Sequence, residues 1–291
     1  MWVILAILTL GVVFYLSVSA YIAYTLTIPG KSPVTFDPLK IGERVANVSF
    51  QSTDGLLLSG WYFPGTNDKA IMFVHGAGNQ NRVNEVYGTS EIAKYFLEQG
   101  YTILMFDLRG TGNSQFSRIS FGQNESKDVA GAYQYLISQD YKPQSIGIIS
   151  NSLGAISTIM AADSIKDAGG IVLDSPATEV KTIVSNIMVN EHSVPRFLHP
   201  GIYEFAKILY NIDINSVRPV DHISILRDTP LLFLVGDKDA LIPPSDTNTL
   251  AAKVNRGQVE EFKNAGHIGS YKTEPERYKQ VVLEFFSNNL K

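Results

Sequence analysis

Ser152, Asp239 and His267 are the residues of this chain whose types and order could carry a reaction. A serine hydroxyl becomes a nucleophile when a base takes its proton and a carboxylate holds that base in the productive tautomer. Together the three would attack an acyl carbonyl and form a covalent acyl-enzyme. Ser152 lies in Ser150-Asn151-Ser152-Leu153-Gly154, between the apolar run Ile146-Gly147-Ile148-Ile149 and a helix-like stretch, Ala155 to Ala162. A sharp strand-to-helix turn of pattern G-x-S-x-G exposes a nucleophilic serine in this way. Here the first glycine is Ser150. Glycine suits that place because the strained turn brings residues two apart close together. A hydroxymethyl group there adds strain or crowding of order 1 kcal/mol, and its hydroxyl can reach nearby backbone. Taken alone, Ser152 would serve equally well as the N-cap of the following helix.

Each candidate must be placed by a strand. Leu231 to Val235 is a buried-strand run followed by Gly236-Asp237-Lys238-Asp239-Ala240-Leu241-Ile242-Pro243. An aspartate in the loop after a parallel strand lies at the carboxyl edge of the sheet, where ligands bind in open α/β folds. Asp237 shares that loop and Asp174 follows the strand-like run Gly170 to Leu173, so both stand as alternative acids. The short run Val259 to Phe262 precedes Ala265-Gly266-His267. Val45 to Ser52 and Leu56 to Phe63 read as strands joined by Thr53-Asp54-Gly55, a hairpin signal. Ala70 to Val74, Thr102 to Phe106 and Ser145 to Ile149 are further buried-strand runs. Helical patterns cover residues 91–99, 125–138, 152–163, 246–254 and 275–290, and Gly100 stops the first of them. Strands alternating with helices predict an α/β domain with a mainly parallel sheet covered on both faces. One stretch breaks the rhythm. Between Pro176 and Leu226 two amphipathic helices, near 178–190 and 202–210, flank a connection from His192 to Pro200, and this predicts a helical cap insertion over about 177–226. An ordinary pair of covering helices is the alternative.

The N-terminus is apolar. Trp2 to Ile28 contains no charged residue, longer than the ~20 residues a helix needs to cross a bilayer. Trp2 near one end and Tyr21 and Tyr24 near the other suit the two interfaces. Val18-Ser19-Ala20 has the small residues of a signal-peptide cleavage site, but no Lys or Arg precedes the run and the run continues beyond Ala20. The expectation is therefore a single-pass anchor at 2–28, a linker at 29–43 broken by Pro29, Gly30, Pro33 and Pro38, and a catalytic domain at 44–291. Lys31, Lys40 and Arg44 follow the apolar run, which favours a cytoplasmic catalytic domain. The net charge of −4 gives no basic footprint for nucleic acid. No cysteine is present, which excludes disulfides, thiolate catalysis and cysteine-based zinc sites.

From about residue 44 onward the chain resembles the serine α/β-hydrolase family, of the esterase, lipase and acylaminoacyl-peptidase type. His75-Gly76-Ala77-Gly78-Asn79 is similar to that family's H-G-x-x-x loop after the third strand. Asp107-Leu108-Arg109-Gly110-Thr111-Gly112-Asn113-Ser114 resembles its D-x-R-G-x-G-x-S stretch, and Gly122, Glu125 and Asp128 its G-x-x-E-x-x-D pattern. Gly236-Asp237-Lys238-Asp239 and Gly266-His267 are similar to its acid and histidine loops, in the family's order Ser, Asp, His. The resemblance implies an α/β-hydrolase fold with Ser152 as nucleophile, Asp239 as acid and His267 as base. It further implies an oxyanion hole from the backbone N–H groups of Ala77 and Leu153, and neither metal nor organic cofactor. Small or lipid-like acyl esters are the substrates it favours, since peptidases of the acylaminoacyl type usually carry a large extra N-terminal domain. A peptidase or amidase of the same mechanism, and a non-catalytic binding protein of the same fold, are the other readings. His75 reads as loop architecture, Arg109 and Asp107 as a loop-fixing ion pair, and His192, His199 and His222 as surface or cap contacts.

Overall fold

In a computed structural model, every residue is described except Lys31 and Asn79, together with the side chain of Val86. Lys31, one of the basic residues counted after the apolar run, and Asn79, the last residue of the His75 loop motif, thus lie outside the described residues. The apolar runs form the middle of one eight-stranded sheet. Its strands are β1 (Ala46–Gln51), β2 (Leu57–Phe63), β3 (Ala70–Val74), β4 (Thr102–Phe106), β5 (Ile146–Asn151), β6 (Gly170–Asp174), β7 (Leu231–Gly236) and β8 (Gly257–Phe262). Their order is β1-β2-β4-β3-β5-β6-β7-β8. β2 runs antiparallel to both neighbours, and every other pairing is parallel. β5 extends to Asn151, beyond the apolar run, because Asn151 pairs with Asp174 on β6. That ladder carries the chain rigidly up to Ser152.

Both faces of the central strands are apolar, so alternate residues enter two cores. Ile71, Phe73, Ile103 and Leu232 pack with α2 (Thr89–Glu98) and α11 (Pro275–Asn289) on one face. Met72, Val74, Leu104 and Phe233 pack with α3 (Glu125–Ser138), α4 (Leu153–Met160) and α5 (Ala162–Ile165) on the other. The single helix expected at 152–163 is two, broken at Ala161, which stands between α4 and α5.

Between β6 and β7 there is no strand among the described residues, but α6 (Val180–Asn190), α7 (His199–Tyr210) and the short α8 (Pro219–His222). α7 starts three residues before the amphipathic pattern suggests, because Pro200 fits a helix's first turn, where its missing N–H costs nothing. Val184, Met188, Ile202 and Val217 build a third apolar cluster that includes Ile156 of α4 and Ile242 of the loop after β7. The N-terminal run is one helix, α1 (Trp2–Leu26), long and apolar enough to cross a membrane. Its second half packs on α7, burying Ser19 and Ala23, while Trp2 to Phe14 are exposed. The chain closes with α9 (Pro244–Ala251) after β7 and α10 (Ser270–Thr273) before α11.

Candidate active site

At the end of β5 the backbone turns abruptly. Ser152 has φ 49° and ψ −118°, a conformation L-residues rarely adopt and one that stores strain at functional turns. Its N–H donates to the Asp174 carbonyl and its own carbonyl accepts from the Ile156 N–H, each at 2.9 Å. Ser152 Oγ makes no capping bond. It lies 2.8 Å from His267 Nε2 instead, so the hydroxyl faces the histidine loop and not the helix it precedes.

The glycines around this turn are set by close approach. A Cβ on Gly154 would stand 2.3 Å from the Val74 carbonyl and 2.6 Å from that of His75, so α4 rests directly on the end of β3. Ser150 occupies the other glycine position without such a clash. It is fully buried, and its hydroxyl donates to the Val172 carbonyl on β6 at 3.1 Å. The extra hydroxymethyl group is therefore absorbed by the neighbouring strand.

His267 Nδ1 lies 2.8 Å from Asp239 Oδ2. The second carboxylate oxygen, Oδ1, accepts the N–H groups of Leu241 and Ile242 at 3.0 and 2.9 Å. Burial opposes ionisation of Asp239, but the hydrogen bond from His267 and those two N–H groups outweigh it and hold its pKa below the usual carboxylate range. Asp237 does different work: its Oδ1 accepts the Asn264 N–H at 2.6 Å and ties the acid loop to the histidine loop. Asp174 does not bond His267. It is buried at the end of β6, where desolvation raises its pKa to about 7 against the opposing hydrogen bond from Ser175 and the field of His267. The structure thus brings Ser152, His267 and Asp239 together in one hydrogen-bonded line and leaves both other aspartates out of it.

Leu153 follows Ser152 directly, and Ala77 lies exposed in the loop after β3. The Leu153 N–H opens α4, where the helix end carries partial positive charge. Neither N–H donates to a backbone carbonyl among the described residues. A Cβ on Gly76 would lie 3.0 Å from Asn151 Oδ1, so the His75 loop packs on the serine turn at the residue before Ala77. Among the described residues, no group of three or more His, Asp or Glu is arranged to hold a metal.

The profile of the prolyl oligopeptidase family matches residues 87–291 of the chain. The chain belongs to this family. It is a serine hydrolase of α/β fold. The Bacillus subtilis protein YqkD is 26% identical over 259 residues, which is 87% of this chain and 82% of YqkD. The α/β-hydrolase domain-containing protein WAV2 of Arabidopsis thaliana is 22% identical over 292 residues, 96% of this chain and 91% of WAV2. Among solved structures, an esterase of Pyrococcus furiosus, Pf2001, superposes with a TM-score of 0.74 at 21% identity, covering 91% of this chain and 99% of that one. At that identity the likeness speaks for the fold.

Two features of this prolyl oligopeptidase-family chain differ from the sequence reading. Arg109 does not pair with Asp107. Its guanidinium reaches Asp128 at the start of α3 at 2.7 Å and Asp54 of the β1–β2 turn at 2.8 Å. Asp107 instead pairs with the buried Arg82 at 2.6 Å and accepts the N–H groups of Arg82 and Asn113. Two side chains two residues apart after a strand diverge, and each takes the charge on its own side. His75 is loop architecture in this structure: Nδ1 donates to the Gly76 carbonyl at 2.8 Å and Nε2 accepts the Leu108 N–H at 3.0 Å. Burial lowers its pKa, in keeping with a neutral ring.

The second difference is a clamp behind the base. Ser175 (φ 54°) and Ile268 (φ 53°) both adopt left-handed backbone, which a β-branched residue strongly resists. The Ile268 N–H donates to Ser175 Oγ, and that hydroxyl donates to Asp174 Oδ1, each at 3.2 Å. One serine therefore fixes the residue after His267 to the end of β6. In sequence only the turn-like Asp174-Ser175-Pro176 hints at it, since Ile268 is 93 residues away.

Proposed function

We propose that this chain is a membrane-anchored serine esterase that cleaves acyl esters through a covalent acyl-enzyme. Ser152 Oγ attacks the carbonyl carbon while His267 Nε2 takes its proton. Asp239 accepts the Nδ1–H and stabilises the imidazolium. The oxyanion that develops is held by the N–H groups of Leu153 and Ala77, donors that matter only as charge forms. His267 returns its proton to the leaving alkoxide. The same base then activates water, which releases the acid. The observation that carries this reading is the pair of 2.8 Å contacts, Ser152 Oγ to His267 Nε2 and His267 Nδ1 to Asp239 Oδ2.

The apolar surroundings favour an acyl substrate. The cap cluster is continuous from Ala23 of α1, through Val184 and Ile202, to Ile156 one turn past Ser152 and Ile242 beside Asp239. Apolar side chains thus pack up to both the serine turn and the acid loop, which suits an acyl group better than a charged one at this edge. α1 is the anchor in this reading: Ser19 and Ala23 are buried against the cap, so removing the helix at Ala20 would bare apolar surface. Lys31, Lys40 and Arg44 favour a cytoplasmic catalytic domain. Membership of the prolyl oligopeptidase family favours a second reading, peptide or amide cleavage by the same residues. The two part on a panel of p-nitrophenyl esters of rising chain length set against peptide anilides. Fluorophosphonate labelling and ester turnover should both vanish in Ser152→Ala, and labelling at the parent level would end the serine mechanism.

A further inference from the structure

The anchor helix is not free along its length. Only Trp2 to Phe14, thirteen residues, are exposed all round. From Tyr15 to Leu26 the helix lies on the cap. The Gly201 N–H donates to Tyr15 Oη at 3.2 Å, and a Cβ on Gly201 would meet Ser19 Oγ at 2.6 Å, so the two helices touch backbone to side chain at the start of α7. At the other end of α7, Arg118 joins them: its guanidinium lies 3.7 Å from the centre of the Tyr210 ring and 4.7 Å from that of Tyr24, and it donates to the Tyr24 carbonyl and Thr27 Oγ1. α1 and the cap form one body.

A helix rises about 1.5 Å per residue, so the free stretch is about 20 Å long, while the hydrocarbon core of a bilayer is about 30 Å thick. The remaining 10 Å must come from the part of α1 already packed on α7. The cap surface there is built for it. Phe197, Ile208 and Leu209, on and beside α7, are 69%, 73% and 53% exposed, and Ile208 adjoins Tyr15 and Leu16 of α1 with the exposed Glu204 beside it. Arg196 next to Phe197 is an exposed cation whose long stem can reach the headgroups, and Lys207 next to Ile208 is exposed and paired with Asp213 at 2.7 Å. Because α7 runs alongside α1, from Tyr15 and Ser19 at its start to Tyr24 at its end, Phe197 and the first turn of α7 enter the leaflet first.

We propose that the cap is sunk into one leaflet, with Phe197, Ile208 and Leu209 among the lipid chains, so that the hydrolase receives substrate from within the bilayer. This rests on the reading of α1 as a membrane anchor. The test uses the full chain reconstituted in phosphatidylcholine vesicles whose acyl chains carry bromine, a contact quencher of tryptophan. Trp2→Phe removes the exposed tryptophan and leaves Trp61, which is buried at 5% exposure, as background. In that background Phe197→Trp reports the cap and Phe14→Trp the helix. The expected result is quenching of both reporters by about two-fold or more, the response of a side chain within the acyl region. Quenching at position 14 without quenching at 197 overturns the sunken cap and leaves the anchor standing. Quenching at neither overturns the anchor itself, and the proposal with it.

Discussion

The carboxyl edge of the sheet and the cap are held by different forces. At the edge, single polar atoms fix position: Asp239 accepts three hydrogen bonds, Asp237 ties two loops, and Ser175 clamps the residue after His267. The cap has an apolar centre of Val184, Met188, Ile202 and Val217, with directional bonds at its margins, such as those of Thr178 to Asp246 and of the Asp213 N–H to Gln123. Directional bonds hold atoms to a few tenths of an ångström and fail steeply when one partner is lost. Dispersion and burial spread over many contacts and fail gradually. Chemistry needs the first kind of support, and a surface that meets substrate or lipid can use the second.

The largest break should come from Asp239→Asn. The amide keeps the shape but presents the wrong hydrogen-bonding group to His267 Nδ1, and a fall in kcat of roughly 10⁴ is expected with the fold intact. A rate within tenfold of the parent would mean another carboxylate orients His267.

Asp174→Asn separates a polar group kept for precision from one that burdens the fold. Below its unfolded pKa near 4 the carboxyl is protonated in both states and costs nothing. Above that pH the unfolded chain ionises while the buried group, with its pKa raised to about 7, stays neutral, so stability falls between those values and then levels. The asparagine variant lacks this burden. Its advantage in denaturant unfolding should be near zero at pH 4 and of order 2–4 kcal/mol at pH 8. A constant difference across that range would show that Asp174 is ionised in the native state throughout.

Ser175→Ala tests the clamp. It leaves the Ile268 N–H buried without its partner, at a cost of about 1–3 kcal/mol, and frees the backbone next to His267. A roughly tenfold loss of kcat with KM unchanged is the expected signature of a misplaced base. If stability drops while kcat holds, the clamp supports the fold alone.

What the sequence disclosed follows the same division. The strands were legible because a strand buried on both faces is a run of apolar residues, and the serine turn because Gly154 stands where a Cβ would lie 2.3 Å from the Val74 carbonyl. Asp239 and His267 were legible as loop residues after strands. The clamp was not, because nothing local to Ser175 marks Ile268 as its partner. Arg109 was paired with the wrong acid for a similar reason: Asp107 is near in sequence, while Asp54 and Asp128 are near only in the fold. The packing of α1 on α7 left no trace at all, since apolar surfaces carry no code for their partners.

Gly201→Val probes the cap side. The new side chain meets Ser19 Oγ and Tyr15 Oη, and overpacking of this kind costs about 1–3 kcal/mol. Yet turnover of a short, water-soluble ester should change by less than about two-fold, because no directional bond at the sheet edge is touched. A fall as deep as that of Ser175→Ala would show that the cap and the edge act as one unit.

The smallest effect is expected at Ser150→Gly. The glycine restores the usual turn sequence and relieves any crowding, but it removes the bond to the Val172 carbonyl and adds backbone freedom to a central strand. These terms oppose each other, each near 1 kcal/mol. Unfolding free energy should therefore drop by no more than about 1 kcal/mol, with kcat/KM within about three-fold of the parent. A collapse of turnover would mean that the Ser150 hydroxyl sets the angle at which β5 delivers Ser152, so that even this buried strand residue belongs with the directional supports of the edge.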